Sequence, residues 1–301
     1  MRIIHQYKNG NYNVVLLEDG TKVRFNDEKT FEPSFAESID CTITEACDGG
    51  CPYCYLGCTP DGRHADLNQP FFDTLHKGQE LALNGNDLSH PQLIEFHERM
   101  KAQGVVCNIT VNQKHFIREI DKIRKLSKDN LVYGIGVSLT DSHDPLLYKY
   151  ITEFPNAVLH VIDGLFTKED IENLKDKGIK ILILGYKKLG RGDSYYIQHK
   201  SEIEENIQYL QRNLATIKKY FEVISFDNLA IEHLGIRNHI IDKVWKTLYM
   251  GDEGHFTFYI NAVDKTYSIS SLSSNIKFDI GEKTAEEMFT DIRKIVTKER
   301  S

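Results

Sequence analysis

The feature that most constrains this chain is a rhythm. From about residue 37, short apolar runs alternate with amphipathic stretches: ESIDCTI (37–43), QELAL (79–83), VVCNITV (105–111), LVYGIGVSL (131–139), NAVLHVI (156–162) and IKILIL (179–184). Runs of that length, rich in β-branched residues and each followed by a helical pattern, predict repeated βα units around a parallel sheet. The intervening segments carry helix punctuation. Ser89-His90-Pro91-Gln92 offers an N-cap serine, an early proline and a capping-box glutamine, with Leu93, Phe96 and Met100 on one face and Gly104 at the end. Phe116, Ile120, Ile123 and Leu126 share a face in the next segment. Thr167 with Asp170 repeats the capping device, and Gly178 ends that stretch.

Before this region, Asn9-Gly10 and Asp19-Gly20 separate β-rich runs, which predicts a small antiparallel meander over residues 1–36. Beyond Leu184 the rhythm weakens. Ile203, Ile207, Leu210, Leu214 and Ile217 predict one long amphipathic helix. FTFYINAVDKTYSIS alternates like a hairpin, and AEEMFTDIRKIV reads as a closing helix. Three regions follow: residues 1–36, a core over 37–190, and 191–301 as helices and a hairpin capping the core.

Composition excludes some classes. The chain has 301 residues, 37 Lys plus Arg against 44 Asp plus Glu, and a formal net charge of −7, which argues against a broad nucleic-acid-binding face. No run of about 18 apolar residues is present to span a bilayer, and the opening MRIIHQYKNG lacks the apolar stretch of a secretory signal, so a cytoplasmic location is expected. In a reducing compartment clustered cysteines read as metal ligands or catalysts before disulfides.

Four of the six cysteines fall in CDGGCPYCYLGC, spaced Cys47-x3-Cys51-x2-Cys54-x3-Cys58. A structural zinc site usually joins two cysteine pairs from well-separated places, and a ferredoxin-like run sends its fourth ligand to a second cluster. A third arrangement uses three thiolates on a four-iron cube and leaves one iron open for chemistry. Cys47, Cys51 and Cys54 fit that pattern, with Gly49, Gly50 and Pro52 letting the backbone wrap the cube. Cys41 and Cys107 lie in apolar strands and read as buried and inert.

CDGGCPYC resembles the CxxxCxφC motif of the radical S-adenosylmethionine (SAM) superfamily, with Tyr53 as the aromatic residue. The resemblance implies a partial (β/α)6 TIM-type barrel with the meander at its amino end and an α+β extension at its carboxyl end. It implies a 4Fe-4S cluster on Cys47, Cys51 and Cys54 whose open iron chelates SAM. One electron then cleaves SAM to a 5'-deoxyadenosyl radical that abstracts hydrogen from substrate. Cys58 is then a free thiol or lies near substrate, since a fourth ligand would close the open iron.

Further positions are implied as SAM contacts. Asn84-Gly85-Asn86 is similar to the family's GGE-type segment, so Gly85 and Asn86 would receive the amino group, although an amide replaces the usual glutamate. Ser138 would touch ribose or carboxylate, and Ile162 and Gly185 would pack near adenine, as would the backbone of Gly190-Arg191-Gly192. Asp141, His143, Asp163 and Tyr186 fall where substrate would meet the radical, and His160 reads as a satisfied core histidine. The implied partners are an electron donor of flavodoxin or ferredoxin type and an unassigned substrate, a peptide or protein first and a nucleotide or nucleoside next. The alternatives are a cluster-retaining binding or regulatory protein and a four-cysteine zinc module.

Overall fold

The structure, a computed structural model, describes residues 2–28, 30–273 and 276–298. The predicted meander is β1 (Ile3–Asn9), β2 (Tyr12–Leu17) and β3 (Lys22–Phe25), antiparallel in that order. The six predicted parallel strands are β4 (Ser38–Thr42), β5 (Glu80–Asn84), β6 (Val106–Asn112), β7 (Gly134–Ser138), β8 (Ala157–Ile162) and β9 (Lys180–Leu184). They pair in sequence order, as successive right-handed βα units require.

The sheet then continues at both edges. β10 (Val223–Phe226) joins β9 in parallel, so the long helix before it completes the sixth βα unit and β10 adds a seventh parallel strand. β11 (Thr257–Asn261) lies parallel to β4, and β12 (Thr266–Ser268) and β13 (Phe278–Asp279) extend that edge antiparallel. The hairpin is present as expected, but its first strand enters the main sheet. β10 was not foreseen because four residues on an edge give too short an alternation to recognise. The result is an open, partial TIM-type barrel.

The helices are α1 (Leu93–Gln103), α2 (Gln113–Arg118), α3 (Ile120–Lys128), α4 (Pro145–Ile151), α5 (Lys168–Leu174), α6 (Arg191–Ile217), α7 (Asn228–His233), α8 (Asp242–Leu248) and α9 (Ala285–Lys298). α5 carries the Thr167/Asp170 capping box, and Gly104 ends α1 in the left-handed conformation. The predicted N-cap at Ser89 does not form: α1 starts at Leu93, and Ser89 lies in a preceding 3-10 turn, donating its hydroxyl to Ala46 and Asn86 carbonyls at 3.0 and 2.8 Å.

Strand alternation separates two chemistries. Ile39, Leu81, Ile109, Val137, Leu159 and Ile183 are buried in one continuous core beneath the helices. Opposite them, Asp40, Ala82 and Asn108 lie in register across three strands, as do Asn112, Ser138, His160 and Leu182 across four. The inner face is therefore polar, unlike a parallel sheet packed on both sides.

The meander is tied to the amino ends of the strands by ions. Lys22 Nζ lies 2.6 Å from Glu80 and 3.4 Å from Glu37; Arg24 Nε is 2.6 Å from Glu37, which also accepts the Tyr12 hydroxyl at 2.6 Å. Burial alone would raise the Glu37 carboxyl, but Lys22 and Arg24 overcome it and hold the group below its usual range.

Candidate functional site

The cysteine loop replaces a helix after β4. Its base is zipped: Cys47 N–H donates to Thr59 O at 2.8 Å, Glu45 N–H to Arg63 O at 2.8 Å, and Ala65 N–H to Ile43 O at 2.9 Å. The segment from Cys47 to Cys58 bulges out between those ties at the carboxyl end of the barrel, where βα folds gather their chemistry.

All six cysteines are free thiols. Cys47, Cys51 and Cys54 are half-buried, whereas Cys58 is buried. Gly49 sits among the thiols: a Cβ there would lie 3.2 Å from Cys47 Sγ and 3.9 Å from Cys51 Sγ, so the bare backbone keeps the cradle open. Gly49 N–H reaches Cys47 Sγ at 3.3 Å, and Asn112 Nδ2 reaches Cys51 Sγ at 3.5 Å. The Cys58 thiol hydrogen-bonds to Cys54 sulfur, which the N–H groups of Cys58 and Leu56 also reach, and together they push Cys54 down toward the thiolate. Donors aimed at three sulfurs suit thiolate ligands and are a lever on cluster potential. Among the described residues no three His, Cys, Asp or Glu side chains converge to hold a single metal ion.

Two elements grip this loop. From the α2 side, Asp48 accepts His115 Nε2 at 2.6 Å and Arg118 Nη1 at 2.8 Å, and those two hydrogen bonds hold its carboxyl well below the usual range. From the start of α6, Arg191 donates its own N–H to Cys54 O at 3.0 Å, Nε to Cys51 O at 3.1 Å and Nη1 to Cys58 O at 2.9 Å. A Cβ at Gly190 would come within 2.4 Å of Tyr55 O. The Gly190-Arg191-Gly192 backbone thus packs on the cysteine loop, and that contact accounts for residues expected beside adenine. Tyr53 packs edge-on against Tyr195 of α6, ring centroids 5.8 Å apart.

The segment after β5 lies beside the loop. Gly85 has φ +117°, and a Cβ there would meet Thr44 O at 3.0 Å. Asn86 is 4% exposed and its Oδ1 has no hydrogen-bond partner. Asp87 is wholly buried; Oδ2 accepts Thr110 N–H at 2.9 Å, while Oδ1 has no partner. Burial raises this carboxyl to about 8. His90 is a satisfied core histidine, Nε2 bonded to Ala65 O at 2.9 Å and Nδ1 accepting Gln92 N–H.

Ser138, which ends β7, and His160 within β8 are cross-strand neighbours, and neither side chain makes a hydrogen bond. His160 is therefore no satisfied core histidine: its ring lies over Gly136, where a Cβ would come within 2.2 Å of it, and burial lowers its pKa to about 4. Ile162 closes β8, partly exposed. The space a side chain would take at Gly185 is filled by Leu229 and Ala230 of α7, and its N–H donates to Asp227 at 2.9 Å. Asp163 accepts Tyr186 N–H at 2.9 Å and pairs with His233 at 2.7 Å, so it ties β8, β9 and α7 together. Asp141 turns back to His143 N–H, and His143 pairs with Glu169 on the surface.

Asp40 was overlooked in the sequence. It forms no hydrogen bond or ion pair and keeps accessible surface although protein surrounds it, so it lines the open lumen. Burial, with Asp227 and Glu80 nearby and Lys187 opposing, raises its carboxyl. Burial and Asp40 likewise push Glu253 up to about 7. The available signal was a polar residue at alternate positions of SIDCT, within an otherwise apolar strand.

No protein-family model matches the chain, and no curated protein matches it in sequence. Solved structures do. Streptococcus suis SuiB bound to S-adenosylmethionine aligns with TM-score 0.58 at 13% identity, covering 87% of this chain and 68% of SuiB. SuiB bound to precursor peptide SuiA gives 0.58 at 13%, over 87% and 67%, and another SuiB structure gives 0.51 at 15%, over 87% and 69%. The two proteins share a fold. Among the described residues no helix is long and apolar enough to cross a membrane.

Proposed function

We propose that this chain is a radical SAM enzyme. The observation that carries the reading is the set of three half-buried thiols, Cys47, Cys51 and Cys54, in one loop at the carboxyl end of β4, the first two beside Gly49, with the unpartnered Asn86 oxygen on the adjoining strand end. Those cysteines would hold a 4Fe-4S cluster. Arg191 and Asp48 keep the loop in shape, and the hydrogen bonds to Cys54 sulfur favour its thiolate. When bound, the cluster and SAM would supply reductive cleavage to a 5'-deoxyadenosyl radical able to take hydrogen from a substrate.

Asn86 would accept the SAM ammonium through Oδ1, an acceptor that costs free energy while it stays unmet. Ser138, Ile162, Gly185, Tyr53 and Gly85 border the strand ends over which the rest of SAM would lie. The reaction would take place above the polar inner face, with Asp40 and His160 toward substrate. A peptide substrate is supported by the shared fold with a protein whose crystal structure holds a precursor peptide. A flavodoxin or ferredoxin would donate the electron, in the reducing cytoplasm.

The test is anaerobic reconstitution followed by dithionite and SAM. About four irons and four sulfides per chain with release of 5'-deoxyadenosine are expected. Iron without 5'-deoxyadenosine would instead indicate a cluster-retaining scaffold, the reading that an amide at position 86 supports. Protein with one zinc and no sulfide would overturn both.

A further inference from the structure

Two of the three cradle sulfurs take hydrogen bonds from the loop itself: Gly49 N–H reaches Cys47 Sγ at 3.3 Å, and the N–H groups of Leu56 and Cys58 reach Cys54 sulfur. Cys51 differs. Its donor is the half-buried side-chain amide of Asn112, 61 residues away in the chain, with Nδ2 at 3.5 Å from Sγ. Asn112 closes β6 and caps α2, where its Oδ1 accepts Lys114 N–H at 2.9 Å. Because a backbone N–H needs an acceptor, that bond decides which end of the amide is oxygen and turns Nδ2 toward the sulfur.

The donor is held from both sides. Asn112 is paired in register with Ser138 of β7, and the next residue, Gln113, accepts Thr140 and Asp141 N–H at 2.9 Å each and donates to Asp141 O at 2.8 Å. Farther along the same helix, His115 and Arg118 grip Asp48 of the cysteine loop at 2.6 and 2.8 Å. Sheet and loop together therefore set the spacing between amide and sulfur, whatever the peptides of the loop do.

We infer that Asn112 is a positioning residue that sets the reduction potential of the cluster through its hydrogen bond to Cys51. This rests on the reading of the three thiols as ligands of a 4Fe-4S cluster and adds to it a residue from outside their loop. An electron entering such a cluster increases the negative charge on the ligand sulfurs, so an N–H aimed at one of them stabilises the reduced form more than the oxidised form and raises the potential. The step is the gain of one electron from an external reductant. No proton moves and no bond to the protein breaks. A neutral amide supplies this donor without adding to the positive charge that Lys114 and Arg191 already bring near Cys51.

The experiment loads the full chain anaerobically with iron and sulfide and titrates it with dithionite while electron paramagnetic resonance follows the reduced cluster. Asn112→Ser is the isolating variant, because serine keeps an N-cap oxygen for Lys114 N–H but is too short to reach Cys51. It should match wild type in iron, sulfide and melting temperature, and its midpoint potential should fall by about 59 mV, a tenfold change in a one-electron equilibrium. Asn112→Asp also keeps the cap but sets a negative oxygen beside the sulfur, so its potential should fall further. Asn112→Ala, which loses the cap as well, should match the serine variant in potential and melt lower. The bond is also read in wild type alone: with asparagine side-chain amides labelled with 15N, pulsed resonance of the reduced cluster should show a nitrogen coupling that Asn112→Ser lacks. A wild-type potential in Asn112→Ser, or a nitrogen coupling that is absent from wild type, would overturn the inference, leave Asn112 as the cap of α2 alone, and leave the cluster reading standing. Wild type that takes up no iron and sulfide would overturn both.

Discussion

Glu37 at the amino end of the barrel and Asp87 at the carboxyl end are equally buried, at 1% and 0% exposure, yet their surroundings are opposite. Glu37 is met by Lys22, Arg24 and the Tyr12 hydroxyl, so its charge is favoured in the folded state. Asp87 has one backbone N–H and an oxygen facing nothing, so its charge is penalised. One end has its buried charges paired. The other leaves acceptors unmet, which costs stability.

Substitutions should separate the two ends. The largest effect is expected at the thiols, where Cys51→Ala should abolish iron and sulfide incorporation, measured in anaerobically reconstituted protein, while leaving the fold intact by circular dichroism. Glu37→Gln should do the reverse. It strands the buried Arg24 charge, takes from Lys22 the second of its two carboxylates, and should cost about 3–5 kcal/mol in denaturant unfolding without changing iron per folded chain.

The pH dependence carries the sign. The folded Glu37 pKa lies below its unfolded value, so its contribution is complete above the unfolded pKa of 4.5 and is lost as pH falls through the lowered one. Burial opposes the Lys22 charge, but Glu80 and Glu37 outweigh it and raise its pKa above 10.5, so that contribution holds below 10.5 and is lost as pH rises through the raised value. Asp87 runs the other way. Its pKa rises from 3.8 to about 8 on folding, so the unligated protein loses stability as pH climbs between those values. Asp87→Asn should therefore stabilise the protein near pH 8 by on the order of a few kcal/mol, seen as a higher melting temperature. A melting temperature lowered at every pH would mean that the carboxyl belongs with the structural end.

Smaller effects are expected around the loop. Arg191→Ala removes two side-chain bonds to loop carbonyls, worth about 2 kcal/mol, and should speed iron loss to a chelator severalfold. Cys58→Ala should leave iron content unchanged. Loss of iron in that variant would move a ligand role from Cys54 to its hydrogen-bonded neighbour.

The linear chain by itself determined the six parallel strands, the meander and the cysteine cradle, because each depends on local pattern: apolar runs at strand length, Asn-Gly and Asp-Gly turns, and thiols within one loop. It also singled out Asn86. Only the tertiary structure decided what lies around them. Arg191 and Gly190 read as a loop near adenine, yet they brace the cysteine loop from more than a hundred residues away. His160 read as core, yet the barrel's inner face leaves it without a partner. Nothing in the order NGND marks Asp87, since burial and the lack of a counter-ion arise only when β4, β6 and α3 close around the turn. Local preference is written in neighbouring residues, whereas desolvation is set by whatever distant atoms exclude water.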